Sequence, residues 1–169
     1  MSNQLQRRLA EIGAPADICE LAAKLAEQVV RDPLTGLHNR RFFDEALTQN
    51  IETARRYGRE LSLVIFDLDD FKAVNDSRGH QAGDDVLRNF ARLLHNTARK
   101  ADIVCRIGGD EFAVILPETG PLKVRKFTER FLRISGETKE TKASAGTASL
   151  PTDNLFADAD AALLAAKQD

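Results

Sequence analysis

Two short acidic runs carry most of the chemical potential in this chain. Phe66-Asp67-Leu68-Asp69-Asp70 crowds three carboxylates at the end of Leu61-Ser62-Leu63-Val64-Ile65-Phe66, the densest apolar run in the sequence. Gly108-Gly109-Asp110-Glu111-Phe112 places two carboxylates directly after two glycines, whose backbone can turn tightly and approach a ligand closely. A charge at the end of a buried strand is costly unless something neutralises it. Either run alone reads as a solvated strand end or an ordinary turn. If the two lie on paired strands, Asp67 and Asp110 converge, and converging carboxylates hold hard cations such as Mg²⁺ against phosphate oxygens. Two such ions can clamp the attacking and leaving oxygens of a phosphoryl transfer.

The surrounding periodicity supplies elements able to position these groups. Leu61 to Phe66 is too short for a core helix and rich in β-formers, so it reads as a central strand. A helix from Asn39 or Arg40 to about Tyr57, ended by Gly58, precedes it. Asp69-Asp70-Phe71-Lys72 opens a short helix, and Asp84 to His95 carries Val86, Leu87, Phe90, Leu93 and Leu94 on one helical face. Asp102 to Ile107 and Glu111 to Leu116 form a hairpin about Gly108-Gly109-Asp110. A basic helix from about Pro121 to Ile134, a weak strand near Lys142 to Ala148 and an Ala- and Leu-rich helix from about Phe156 complete one α+β domain. Ahead of it, Ile18, Leu21, Leu25 and Val29 fall at helical spacing until Asp32-Pro33. Leu5, Leu9 and Ile12 belong to a separate short helix or arm beyond Gly13-Ala14-Pro15.

Composition excludes several classes. The 169 residues include 24 Lys+Arg and 26 Asp+Glu and are 43% hydrophobic, which suits one soluble domain with a real core. No apolar run approaches the roughly 18 residues of a membrane helix, and no apolar stretch follows the N-terminal arginines to serve as a signal peptide. A cytoplasmic protein without membrane contact is expected. Cys19 and Cys105, the only cysteines, lie in apolar-periodic stretches and support neither a disulfide framework nor a zinc site. A net charge of −2, no Trp and one Tyr argue against a nucleic-acid binder.

Arg106-Ile107-Gly108-Gly109-Asp110-Glu111-Phe112 resembles the signature of GGDEF domains, the diguanylate cyclases. Four further blocks resemble that family in the same order: Asp32 through Arg41, Phe66 through Asp76, Gly79 through Asp84 and Ala159 through Lys167. The resemblance implies a ferredoxin-like, polymerase-palm-like antiparallel sheet (β-α-α-β-β-α-β) surrounded by helices, with residues 32–169 catalytic and residues 1–31 a helical stalk or linker. It implies condensation of two GTP into cyclic di-GMP with release of pyrophosphate, on a homodimer with one GTP per protomer and two Mg²⁺ or Mn²⁺ ions per active site.

Position by position, the resemblance makes Asp67, Asp110 and the backbone carbonyl of Leu68 the metal ligands. Asp110 also helps activate the attacking 3′-hydroxyl, and Glu111 supports the metal site. Lys72, Lys167 and the amides near Asp70 and Phe71 meet the triphosphate, whose charge is suited by cations and N–H donors at a helix start. Asn75 and Asp84 read guanine, since a carboxylate can accept from both N1–H and the 2-amino group, a pattern that adenine lacks and that disfavours a cyclase accepting ATP. His80 joins the nucleotide pocket or serves as a structural hydrogen-bond bridge. Arg99-Lys100-Ala101-Asp102 resembles the family's RxxD product-inhibition site, completed by Arg130. Arginine grips phosphate or a guanine edge bidentately where lysine cannot. Taken alone, RxxD is usually a surface ion pair, and its register ahead of Gly108-Gly109-Asp110-Glu111-Phe112 is what favours the inhibition site.

Residues 16 to 31 either dimerise as a stalk, which would bring two sites face to face, or pack on their own domain. A non-enzymatic cyclic di-GMP receptor is the alternative function, although a pure receptor has no need of both Asp67 and Asp110. Some departures from the family pattern carry expectations of their own. Thr141 to Thr147 lacks the usual β-branched apolar residues, so a weakly formed strand is expected there. The connection from Pro151 to Asp158 is trimmed, and Leu164 stands where Tyr is common. Because the sequence stops at Asp169 before the usual Gly-Arg-Asn, the lack of a phosphate-facing Arg and weaker triphosphate affinity are expected, and with roughly 31 residues before Asp32 the expectation is either an excised domain or a protein regulated by partners.

Overall fold

The structure, a computed structural model, describes residues 15–18, 21, 29–137 and 141–168. Leu5, Leu9, Ile12, Cys19 and Leu25 lie outside the described residues.

β1 (Leu61–Leu68) is the longest strand and is followed by α2 (Phe71–Arg78) and α3 (His80–Thr97), while α1 (Arg40–Tyr57) precedes it. β2 (Ile103–Arg106) and β3 (Glu111–Pro117) form the hairpin, α4 (Pro121–Ser135) crosses back, and β4 (Ala143–Ser149) leads into α5 (Leu155–Ala166). The sheet order is β2-β3-β1-β4, with every neighbouring pair antiparallel. The expected order of elements therefore holds, and the fold is α+β with the hairpin beside the first strand.

β1 reads as a continuous apolar run because both of its faces are covered. Leu61, Leu63 and Ile65 pack with Phe43, Leu47, Leu155 and Leu163 of α1 and α5. Val64, Phe66 and Leu68 alternate to the other face and meet Val86, Phe90, Phe127 and Phe131 of α3 and α4. On that face Phe66–Phe131 and Phe90–Phe112 have ring centroids 4.8 Å apart, in edge-on and tilted contacts.

Local chemistry fixes the ends of α1. Asn39 caps it by accepting from the Phe42 amide at 3.1 Å, and Gly58 ends it in the left-handed conformation at φ 62°. α3 begins at His80, four residues before the expected start, so His80 and Gly83 belong to its first turn.

The expectation of a weakly formed last strand is overturned. β4 pairs with β1 continuously from Ser62↔Ser149 to Leu68↔Ala143. Its small residues serve packing: a Cβ on Gly146 would stand 2.1 Å from the Ala159 carbonyl oxygen and 2.2 Å from the Leu163 amide, so the α5 backbone rests directly on the strand. Bulkier β-formers would force that helix away.

Candidate active site

The antiparallel register sets Asp67 opposite Glu111, and the Leu68 amide donates to the Asp110 carbonyl at 3.2 Å. The two acidic runs thus meet where the two central strands end. Lys167, just beyond α5, reaches the same place: its Nζ lies 2.7 Å from Asp67 Oδ1. Burial raises the Asp67 carboxyl above its ordinary value, and the neighbouring charges of Asp110 and Asp69 push in the same direction against the pull of Lys167. Glu111 is likewise raised, first by burial and then by Asp67, Asp110 and Asp160. Asp160, on α5, is a further carboxylate that no local pattern singles out.

Gly108 makes room for this cluster, because a Cβ there would meet Glu111 Oε2 at 2.3 Å. Among the described residues no three His, Cys, Asp or Glu side chains converge as a ready metal cage. The donors on hand are carboxylate and peptide oxygens, the ligand types of Mg²⁺ and Mn²⁺, and burial, followed by mutual repulsion of the carboxylates, makes the ionised cluster costly without a cation.

Beyond β1 the chain turns through Asp69 and Asp70. Ser144 Oγ donates to Asp69 Oδ1 at 2.8 Å, and the Asp69 amide donates to the Lys142 carbonyl at 3.0 Å, fastening the turn to β4. Asp70 is left-handed at φ 55° and offers no side-chain cap to α2. Phe71 and Lys72 therefore begin a helix whose positive end carries no carboxylate cap. Asn75 and Phe71 pack on Gly83, where a Cβ would stand 2.1 Å from Asn75 Oδ1 and 3.2 Å from the Phe71 ring. The missing side chain brings α2 and α3 together and sets Asn75 beside the position preceding Asp84. Asp84 itself is half-exposed, 3.8 Å from Arg88. His80 and Lys72 are exposed and have no hydrogen bond or ion pair with the other candidates.

A separate basic cleft of about 220 Å³ opens between β3 and α4, with Arg99, Lys123, Lys126, Phe127 and Arg130 on its walls. The Arg99 amide donates to Asp102 Oδ2 at 2.7 Å. Burial keeps the Asp102 carboxyl above its ordinary value although Arg99 and Arg130 both pull it down. Arg130 donates to the Thr97 carbonyl at 3.0 Å, with its guanidinium 5.9 Å from the Phe127 ring centre. Arg99, Asp102 and Arg130 are thus brought to one place.

Arg106 is a structural residue that the sequence reading did not assign. Nη1 donates to Asp32 Oδ1 and Oδ2 at 3.1 and 3.2 Å, while Nε and Nη2 donate to the Gly109 carbonyl at 3.2 and 2.7 Å. One guanidinium therefore ties the Pro33–Gly36 turn to the Gly108-Gly109 turn. Burial would raise the Asp32 carboxyl, but hydrogen bonds from Thr35 and Arg106 outweigh it and hold the group below its ordinary value. The signal in sequence was an Arg two residues before the glycines and an Asp at the preceding turn, 74 positions apart.

The sequence profile of the family described as "Diguanylate cyclase, GGDEF domain" matches residues 29–169. Diguanylate cyclase DgcP of Pseudomonas aeruginosa is 37% identical over 154 residues, covering 84% of this chain and 23% of the relative. Cyclic di-GMP phosphodiesterase NbdA of the same organism is 34% identical over 161 residues, covering 89% of this chain and 21% of the relative. This chain spans only about a quarter of the length of such relatives. A crystal structure of the coiled coil and GGDEF domain of DgcB from Caulobacter crescentus in complex with c-di-GMP superposes with a TM-score of 0.85 at 28% identity, over 98% of this chain and 93% of that one. With the order of elements and the β1–β3 pairing that sets Asp67 beside the Gly108-Gly109-Asp110 turn, the family match shows that this chain belongs to the GGDEF domain family.

Proposed function

We propose that this chain is the catalytic domain of a diguanylate cyclase, converting two GTP into cyclic di-GMP and two pyrophosphates. The observation that carries the reading is the meeting of Asp67 and Asp110 on paired strands, with a lysine already drawn to Asp67. Asp67, Asp110 and the Leu68 carbonyl would hold Mg²⁺ or Mn²⁺, two per site, with phosphate oxygens completing the shell. When bound, the ions supply charge neutralisation of the triphosphate and stabilise the leaving pyrophosphate.

The remaining work falls to the chain's own residues. Asp110 accepts the proton of the attacking 3′-hydroxyl as the new bond to the α-phosphorus forms and the bond to pyrophosphate breaks, and Glu111 keeps the carboxylate cluster in place. Lys72, Lys167 and the Phe71 amide orient the triphosphate. Lys167 exchanges its Asp67 partner for phosphate when substrate arrives. Asn75 and Asp84 read the guanine edge, with His80 at the rim of that pocket. Each site takes one GTP, so two protomers must face each other. The exposed Ile18, Leu21 and Val29, at 49%, 59% and 52% accessibility, support a stalk in which residues 1–31 pair with a second copy.

The basic cleft favours a second role for the same domain, binding of cyclic di-GMP by Arg99, Asp102 and Arg130 as product inhibition. In a chain without turnover, the same cleft would make the domain a receptor. Incubation with GTP or ATP and Mg²⁺, followed by chromatography, tests both readings. Cyclic di-GMP from GTP alone is expected, with Arg99→Ala relieving inhibition by added product. Absence of both cyclic and linear dinucleotide, in a protein that still binds cyclic di-GMP, replaces the cyclase with the receptor. Inhibition unchanged in Arg99→Ala removes the product site.

A further inference from the structure

α3 carries Arg88, Arg92 and His95 at spacings of four and three residues, one stripe along a helical face, and Arg99 follows just past the helix end on the same cavity wall as His95. All four are exposed. Opposite them stands Arg31, at the start of the turn that leads into α1. Two adjoining cavities, of about 390 and 620 Å³, run between the stripe and that turn and share Arg31, Leu37 and His95. The floor is apolar, built from Leu34, Leu37 and Ala91, and the rim is cationic.

In a chain of net charge −2 this is a strong local excess of positive charge. Little of it is neutralised internally. Arg31 donates to the Gly36 carbonyl and Arg92 to the Asn89 side-chain amide, both neutral acceptors. His95 and Lys100 have no hydrogen bond or ion pair among the described residues. The one carboxylate on the lining, Asp102, already accepts from the Arg99 amide. Arg88 alone is paired, with Asp85 and Asp84.

We propose that this groove is a docking surface for an acidic, amphipathic helix of a partner protein. The shape of the charge selects that occupant. A small anion needs donors converging on one point, whereas these cations are spread along about 10 Å of helix axis from Arg88 to His95. A helix with acidic residues at i, i+4 and i+7 repeats that spacing, and its apolar residues would meet the leucine floor. The proposal does not depend on catalytic activity, since Arg31, Arg92 and His95 take no part in the proposed reaction.

The test uses the full chain and a fluorescein-labelled helix-forming peptide with Glu at i, i+4 and i+7 and Leu between them, followed by fluorescence anisotropy. Saturable binding below about 1 mM is expected, weakened roughly tenfold by Arg92→Glu and by Arg31→Glu, with circular dichroism confirming that each variant is folded. Arg133→Glu, the same charge change on exposed α4, should leave binding unchanged. The proposal is overturned by absence of binding, by equal weakening in Arg133→Glu, by equal affinity for the peptide with Lys in place of Glu, or by full displacement with inorganic pyrophosphate at matched ionic strength, which would mark a small-anion site.

Discussion

Asp67 sits between opposing influences: burial, Asp110 and Asp69 raise its protonation, and Lys167 alone pulls the other way. A carboxylate held above its ordinary value contributes stability below its unfolded pKa and loses that contribution as pH rises through the folded one. Near neutral pH the ionised cluster therefore costs stability in the absence of a cation. Asp110→Asn should raise the melting temperature of the metal-free chain by roughly 2–4 °C, the response of a domain this size to about 1 kcal/mol, and should abolish turnover. Calorimetry and product chromatography on the same preparation check both halves. Asp32 has the opposite sign. Its lowered carboxyl contributes stability above the unfolded value near 3.8 that is lost as pH falls through the folded pKa. Asp32→Asn should flatten the acid limb of an unfolding curve below about pH 4 and leave the neutral shape unchanged. The convergence of Asp67 and Asp110 was legible because charge at the end of an apolar strand is unusual chemistry. The Arg106–Asp32 tie and the Lys167–Asp67 contact were not, because each joins groups distant in sequence, and periodicity carries no information about such pairs.

Elements explain which sequence expectations failed. β1, the hairpin and α1 were readable because each carries its own local signal: an apolar run, two glycines, and a capped amphipathic stretch. β4 was placed near Lys142 to Ala148 but its strength was misjudged, because its composition, Ala143-Ser144-Ala145-Gly146-Thr147-Ala148-Ser149, answers to α5 lying on it rather than to strand propensity. Gly146→Ala should accordingly destabilise the domain by about 1–3 kcal/mol despite improving backbone propensity, measured by urea denaturation. If instead it is neutral, the close approach of α5 is wrong. The start of α3 was placed late because His80-Gln81-Ala82-Gly83 offers no apolar residue to the core apart from Gly83, whose role is to admit Asn75 and Phe71. Gly83→Ala should therefore raise the KM for GTP several-fold by displacing Asn75, with a smaller change in kcat, as steady-state kinetics would show.

For the whole molecule, one sheet covered on both faces holds the acidic edge, the nucleotide-side helices and the basic cleft as parts of a single body. The β1–β3 pairing and the Arg106 tie to the Gly109 carbonyl together fix the spacing of Asp67 and Asp110, so the site sits where the two central strands leave the core. The slightly acidic charge balance, which on composition argues against nucleic-acid binding, is compatible with the proposed cyclase, in which metal ions would offset the charge of a polyanionic substrate. The most direct test is the amount of cyclic di-GMP formed from GTP and Mg²⁺ over a series of protein concentrations, with Asp110→Ala in parallel. The cyclase reading requires cyclic di-GMP from the wild type, a rate per protomer that rises with concentration because one site holds one GTP, and no product from the variant. Equal product from Asp110→Ala, or none from the wild type at any concentration, contradicts it.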